Sequence, residues 1–319
     1  MPIRAIAAAL MLSPLLVPAT AAAGTGPWVV GSGQASLYVG VESQRLTRLA
    51  TIVDGKRDVV DVGQGVSSFG VKGIASLGIT DRVEVEAGLP WWTVRANRPD
   101  EPICAALGLN ACDDVRTVGV LAVRTKALVL DEYFGAPLSL SLGAELRYGD
   151  FTANTRERIT NVGEGTTDLG PTVAVGRVGS LGGDSFFSTY LEAGWRYRFP
   201  TTRAYPDAPT GQTRAPQPET WALTEFLAGP TPWFSLGPSA SFLTRAGLDW
   251  GEIDLNDPDR LAALGVTSVR AGGTLVVRNQ SNLALSASLL TVLHARNNPT
   301  DVISMNLGVS FSGLASRER

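Results

Sequence analysis

The chain has 319 residues, a formal net charge of −3 and a mean hydropathy of +0.10. Acids and bases nearly balance, so no basic field marks it as a nucleic-acid partner. Beyond the N-terminus no stretch stays apolar for the roughly 20 residues a spanning helix needs, so any membrane residence has to come from strands.

Residues 1–23 read as an export signal. Arg4 supplies the positive start, Ala5 to Val17 form the apolar run, and Ala21-Ala22-Ala23 is a small-residue cleavage site. Pro14 and Pro18 interrupt the run, which is too short to span a bilayer. The mature chain, 24–319, is expected to form a single domain.

Period-two alternation predicts twelve strands, near 35–45, 66–79, 83–95, 117–130, 138–148, 166–178, 185–199, 219–229, 234–249, 266–278, 283–295 and 302–311. The stretch 186–199 carries the pattern most clearly. Phe187, Thr189, Leu191, Ala193, Trp195, Tyr197 and Phe199 alternate with Phe186, Ser188, Tyr190, Glu192, Gly194, Arg196 and Arg198. Near 138–148, Leu138, Leu140, Leu142, Ala144 and Leu146 alternate with Ser139, Ser141, Gly143, Glu145 and Arg147. Near 283–295, Leu285, Leu289 and Leu293 oppose Ser286, Ser288 and His294. In the stretch 219–229, Glu225 sits among Trp221, Leu223 and Leu227, and its faces are not assignable.

Connections alternate in length. Short links fall at 80–82, 131–137, 179–184, 230–233 and 279–282. Longer polar loops fall at 46–65, 96–116, 149–165, 200–218 and 250–265. Most strands reach the 9 to 11 residues that cross a tilted barrel wall. Aromatic residues such as Trp91, Trp92, Tyr148, Tyr197 and Trp233 stand near strand ends. A soluble β-sandwich would need shorter strands and a more charged outer face. The pattern therefore predicts an all-β fold: an antiparallel up-and-down transmembrane barrel of about twelve strands, with short periplasmic turns and long extracellular loops, in the outer membrane of a Gram-negative bacterium. Its partners would be outer-membrane lipid and a small-molecule solute. No cofactor is implied.

Two segments carry a family resemblance. SLGITDRVEVEAGLPW (76–91) and VGEGTTDLGPTVAVG (162–176) resemble motifs of outer-membrane proteins associated with meta-pathway phenol degradation, as does the Gly26-Pro27-Trp28 start. The resemblance implies a channel or transporter for small solutes, among them hydrophobic or aromatic compounds. The chain departs from the broader hydrocarbon transporters. Only about ten residues separate the cleavage site from the first strand, so no N-terminal hatch is expected. Phe311 is similar to the terminal aromatic residue that barrel-assembly machinery recognises, although SGLASRER follows it.

The inward face would hold charges of both signs. Glu192, Arg196, Arg198 and Arg245 are the first candidates for a constriction, with Glu145, Arg147 and Arg270 beside them. Glu42, Lys72, Glu84, Glu86, Arg124, Lys126, Asp168, Asp249 and Arg278 complete the set. Cross-strand ion pairs that merely fill the lumen are the alternative to a selective constriction, and a barrel acting through its loops is the alternative function. Cys104 and Cys112 are expected to form a disulfide in the oxidising compartment that export reaches; a metal site would need more ligands. A barrel hydrolase fits poorly, because the lone His294 has Ala295 and Arg296 after it and its nearest same-face serines, Ser286 and Ser288, are remote along the strand. The chain reads as a non-enzyme.

Overall fold

The computed structural model describes residues 26–53, 56–96, 114–149, 166–200, 216–247, 265–279, 283–296, 298–300 and 302–314. The export segment, the Cys104–Cys112 pair and Asp249 lie outside the described residues.

The strands are β1 (Gln34–Val53), β2 (Lys56–Thr80), β3 (Val83–Ala96), β4 (Val115–Val118), β5 (Leu121–Leu130), β6 (Ser139–Tyr148) and β7 (Thr167–Gly182), then β8 (Ser185–Arg198), β9 (Glu219–Thr231), β10 (Phe234–Arg245), β11 (Val266–Arg278), β12 (Leu283–Arg296), β13 (Asn298–Pro299) and β14 (Ile303–Leu314). Both β4 and β5 pair with β3, one beyond the other, and form a single interrupted stave; β13 and β14 do the same along β1. Twelve antiparallel staves result, each paired with its sequence neighbours. β1 closes the ring by pairing with β2 on one edge and β14 on the other, from Gln34 opposite Leu314 to Arg45 opposite Ile303. Closure leaves no open edge whose backbone donors would face hydrocarbon unpaired.

The alternation in sequence becomes an inside and an outside. Leu142, Leu191, Leu289 and Met305 point outward and are about half exposed, while Ser141, Glu192, Ser288 and Asn306 point inward and are buried. The outer face is a leucine-rich belt, a surface that suits lipid and not water. On β8 it ends in an aromatic ladder, with Trp195 and Tyr197 centroids 6.5 Å apart and Tyr197 and Phe199 in T-shaped contact at 5.1 Å.

Three details depart from the sequence expectation. β1 and β2 run on through the expected loop at 46–65, pairing from Arg48 opposite Asp61 to Val53 opposite Lys56 after a break in register. The strand expected over 117–130 is interrupted at residues 119–120. On β12, the register shift at Val269/Arg270 leaves Leu293 as an extra residue, so His294 pairs with Val269 and is exposed on the outer face instead of sharing the inward face of Ser286 and Ser288.

Candidate functional site

The lumen is occupied by the chain's own residues 26–33, a short segment and not a hatch domain. The segment enters from the β1 start at the short-turn end and rises to mid-height. Side chains of the wall hold its donors in order. The Gly26 amide donates to Glu192 Oε2 at 3.1 Å, and Lys126 Nζ donates to the Gly26 carbonyl at 3.2 Å. Trp28 Nε1–H donates to Glu132 Oε1 at 3.0 Å. The Val30 amide donates to Glu84 Oε2 at 2.6 Å, and the Ser32 amide to Asp81 Oδ1 at 3.0 Å. Bonds to ionised acceptors are the stronger kind, so eight residues without regular structure are held firmly.

Glu132 reaches this position because the β5–β6 link folds as a short 3-10 turn, Glu132–Phe134, capped by Asp131, whose carboxylate accepts the Tyr133 amide at 3.0 Å. The Glu132 carboxylate also accepts the Val178 amide at 2.9 Å, tying the turn to β7. The Trp28 ring meets Tyr190 edge-on at 6.3 Å and packs on a buried cluster of Tyr190, Trp221, Leu223 and Leu243. Gly176 makes room for the Pro27 ring: a Cβ there would come within 3.0 Å of it.

This cluster settles the faces of β9. Glu219, Trp221, Leu223, Glu225 and Leu227 all point inward and are buried, and Phe226 points outward. An inward strand face can be apolar because it has an apolar side chain to cover. Trp221 lies between two guanidiniums, Arg124 at 5.6 Å and Arg196 at 5.4 Å from the ring centroid. It lies over Gly194, where a Cβ would sit 2.7 Å from the ring.

Above the segment, acids and bases form a continuous chain. Glu192 pairs with Arg124, which reaches Glu145 at 3.8 Å. Arg196 bridges Glu145 at 3.0 Å and Glu219 at 2.6 Å, and Arg245 closes on Glu219 at 3.3 Å. Register explains the links. Arg124 and Glu145, Arg196 and Glu219, and Glu219 and Arg245 are direct cross-strand partners, the spacing at which opposite charges meet on one sheet face. Of the sequence candidates, Glu192, Glu145, Arg196 and Arg245 therefore join one network. Arg198 stands apart, bonded to Asp168 at 3.4 Å and Thr166 at 3.1 Å. Arg270 donates to Ser304 at 3.2 Å. Arg147 has no ion-pair partner within 4 Å among the described residues.

Sequence reasoning missed Trp28, Glu132, Glu219 and Trp221. The first two lie outside any strand pattern. Glu219 and Trp221 carried a usable signal, since 219, 221, 223, 225 and 227 share one phase, but the mixture of acid and apolar residues hid which face it was.

Beside the network is a cavity of about 80 Å³, bordered by Lys72, Glu86, Pro90, Trp92, Arg147 and Arg196 among others. On β3 it begins one inward position beyond Glu84 and continues toward the long-loop end.

Among solved structures, the chain is similar to the COG4313 outer membrane channel from Pseudomonas putida F1, with a TM-score of 0.66 and 15% identity over 93% of this chain and 100% of that one. Looser likeness extends to the NanC porin (TM-score 0.46, 9% identity, 86% of this chain and 98% of that one) and to the transport unit of the autotransporter AIDA-I from Escherichia coli (0.48, 12%, 98% and 98%). No family model and no curated protein matches the chain. The similarity at 15% identity establishes the fold, a closed twelve-stave barrel of the outer-membrane kind.

Proposed function

We propose that the protein is an outer-membrane channel that passes small solutes by diffusion, with residues 26–33 as its narrowing element. One observation carries the reading: a closed ring, apolar outside and charged inside, is obstructed by an extended segment held by side-chain hydrogen bonds and not by a folded plug domain. The fold shared with the COG4313 channel supports it. Ion selectivity would be set by the network of Glu192, Arg196, Arg245 and Glu145, with Arg198, Arg147 and Arg270 lining the path. Hydrophobic or aromatic solutes fit the same reading, since the cluster around Tyr190, Trp221 and Leu243 already accepts the Trp28 ring.

Conductance of refolded protein in a planar lipid bilayer tests this. Discrete charge-selective steps are expected, growing several-fold in Trp28→Ala, which removes both the ring and its bond to Glu132. Arg196→Ala with Arg198→Ala should alter cation/anion preference; unchanged permeability would retire the selective role of those residues. A correctly folded but silent barrel, in Trp28→Ala as well, would favour the second reading, a filled barrel acting through its loops. The hydrogen bonds that fix the segment in the lumen are what give that reading weight. Processing near Ala23 and a Cys104–Cys112 disulfide belong to the same proposal, and an intact-mass measurement of the exported protein reads both.

A further inference from the structure

The outer face changes character around its long-loop rim. On β6 and β8 the rim is aromatic: Tyr148, Trp195, Tyr197 and Phe199 turn outward, and the arginines beside them turn into the lumen. From β1 to β4 the arginines turn outward instead, and register sets them in rows. Val41, Val71, Trp91 and Val118 form one row across the four strands, wholly apolar. The next row toward the long-loop end is Ser43, Phe69, Thr93 and Arg116. Beyond it come Arg45, Ser67 and Arg95, with Asp114, just ahead of β4, bonded to Arg95 at 3.1 Å. All three arginines are exposed, in phase with the lipid-facing Leu37, Val39, Trp91 and Val118. From Leu37, near the other rim, to Arg45 is roughly 26 Å along a strand, about the height of a lipid-facing belt before tilt. The arginines therefore stand where hydrocarbon gives way to headgroups.

We propose that this patch binds the phosphate of an anionic lipid in the outer leaflet, of the phosphorylated-glycolipid type. Backbones two strands apart lie roughly 9–10 Å from each other. The long stems of Arg45 and Arg95 can therefore converge on one anion above the short Ser67 between them, with Arg116 reaching up from the row below. Guanidinium forks match phosphate oxygens two at a time. Among the described residues Arg45 and Arg116 have no ion-pair partner, and the Asp114 carboxylate answers Arg95 alone, so the patch holds three cations to one anion. The apolar ground directly beneath, Phe69, Trp91 and Val118, is half exposed and continuous with the lipid-facing belt. It takes the acyl chains of the same molecule. A free phosphate would leave that ground unused. A zwitterionic headgroup would bring an ammonium against three arginines. The inference needs the barrel in its membrane and does not rest on the channel reading.

The test is a lipid titration of the refolded full-length chain in detergent, read by native mass spectrometry. The probes are diphosphoryl lipid A and the same lipid with both phosphates removed, with inorganic phosphate as competitor. The phosphorylated lipid is expected to bind saturably and at least tenfold more tightly than its phosphate-free counterpart, and millimolar inorganic phosphate should not displace it. Arg45→Ala combined with Arg116→Ala should weaken it at least tenfold. Arg177→Ala, an exposed arginine on the outer face at the opposite rim, should leave it unchanged. Equal binding of the two lipids, or an unaffected double variant, would overturn the site. Displacement by inorganic phosphate would overturn the lipid as its occupant, and equal loss in Arg177→Ala would reduce it to general charge attraction. If the double variant fails to fold, the wild-type order of the probes still decides.

Discussion

The two arcs of the lumen wall are built from different chemistry. From β3 to β9 the inward face carries most of the long charged and aromatic residues, Glu84, Arg124, Lys126, Glu145, Glu192, Arg196, Glu219 and Trp221, with short ones such as Ser139, Ser141 and Thr172 among them. From β10 through β14 they are mostly short and hydroxyl-bearing: Ser235, Ser239, Ser241, Ser268, Thr274, Ser288 and Ser304, all buried. Arg245, Arg270 and Asn306 are longer polar residues in this arc, and Leu243, Val276 and Leu290 are buried apolar ones. Long side chains reach across staves and form a network, whereas the short ones make local bonds, as Ser239 does with Thr274 at 2.9 Å and Asn306 with Ser288 at 3.2 Å. The side chains that hydrogen-bond residues 26–33 come from the first arc and its links, and β10 adds only Leu243 to the apolar cluster under Trp28. One half of the barrel thus holds the obstruction and the other half lines it.

Breaking that contrast should be most costly at Arg196. Removing it in Arg196→Ala leaves Glu145 and Glu219 buried with weaker compensation, and loss of one member of a buried ion pair costs about 3–5 kcal/mol. Urea midpoints of the folded barrel in micelles measure it, and a loss under about 1 kcal/mol would mean the network is wetter than its burial implies. Next, Gly194→Val should force the Trp221 ring from between its two arginines, at about 1–3 kcal/mol for an overpacked site. Quenched or shifted tryptophan fluorescence would accompany it. In the hydroxyl arc, Thr274→Val removes the bond to Ser239 and should cost about 1 kcal/mol. The smallest effect is expected at Ser268→Ala. Its hydroxyl has no partner among the described residues, so stability should move by no more than about 0.5 kcal/mol. Reversal of the order between Arg196→Ala and Thr274→Val would dissolve the distinction between the arcs.

Much of this was legible in the sequence where one side of the strand is oily and the other charged. Residues 186–199 give the face, the length and the aromatic end of β8 without any structure. Legibility fails where that contrast is absent. The β9 face could not be read because Trp221 and Leu223 turn inward to cover Trp28, a partner distant in sequence. His294 was misplaced because one extra residue, Leu293, reverses the parity on which period-two reading depends. The β1–β2 extension was hidden because its sequence, TRLATIVDGKRDVVDVGQG, mixes polar and apolar residues without the clean contrast of β8. The candidate charges were found by face, but their partners were not, since register and not spacing puts Arg196 opposite Glu219 and Glu219 opposite Arg245.

The obstructing segment runs directly into β1, and Gly33 is fixed by its amide to the Gly78 carbonyl at 2.9 Å. Its linker to the barrel is therefore almost nil in length. A short tether makes rebinding a first-order event, equivalent to a local concentration of about millimolar or more. A competitor for the Trp28 seat would have to approach that concentration, however well it fits, or bind with an affinity that the tethered residues lack. Any opening by displacement is consequently brief and reversible, and the segment returns without having to find its place by diffusion from solution.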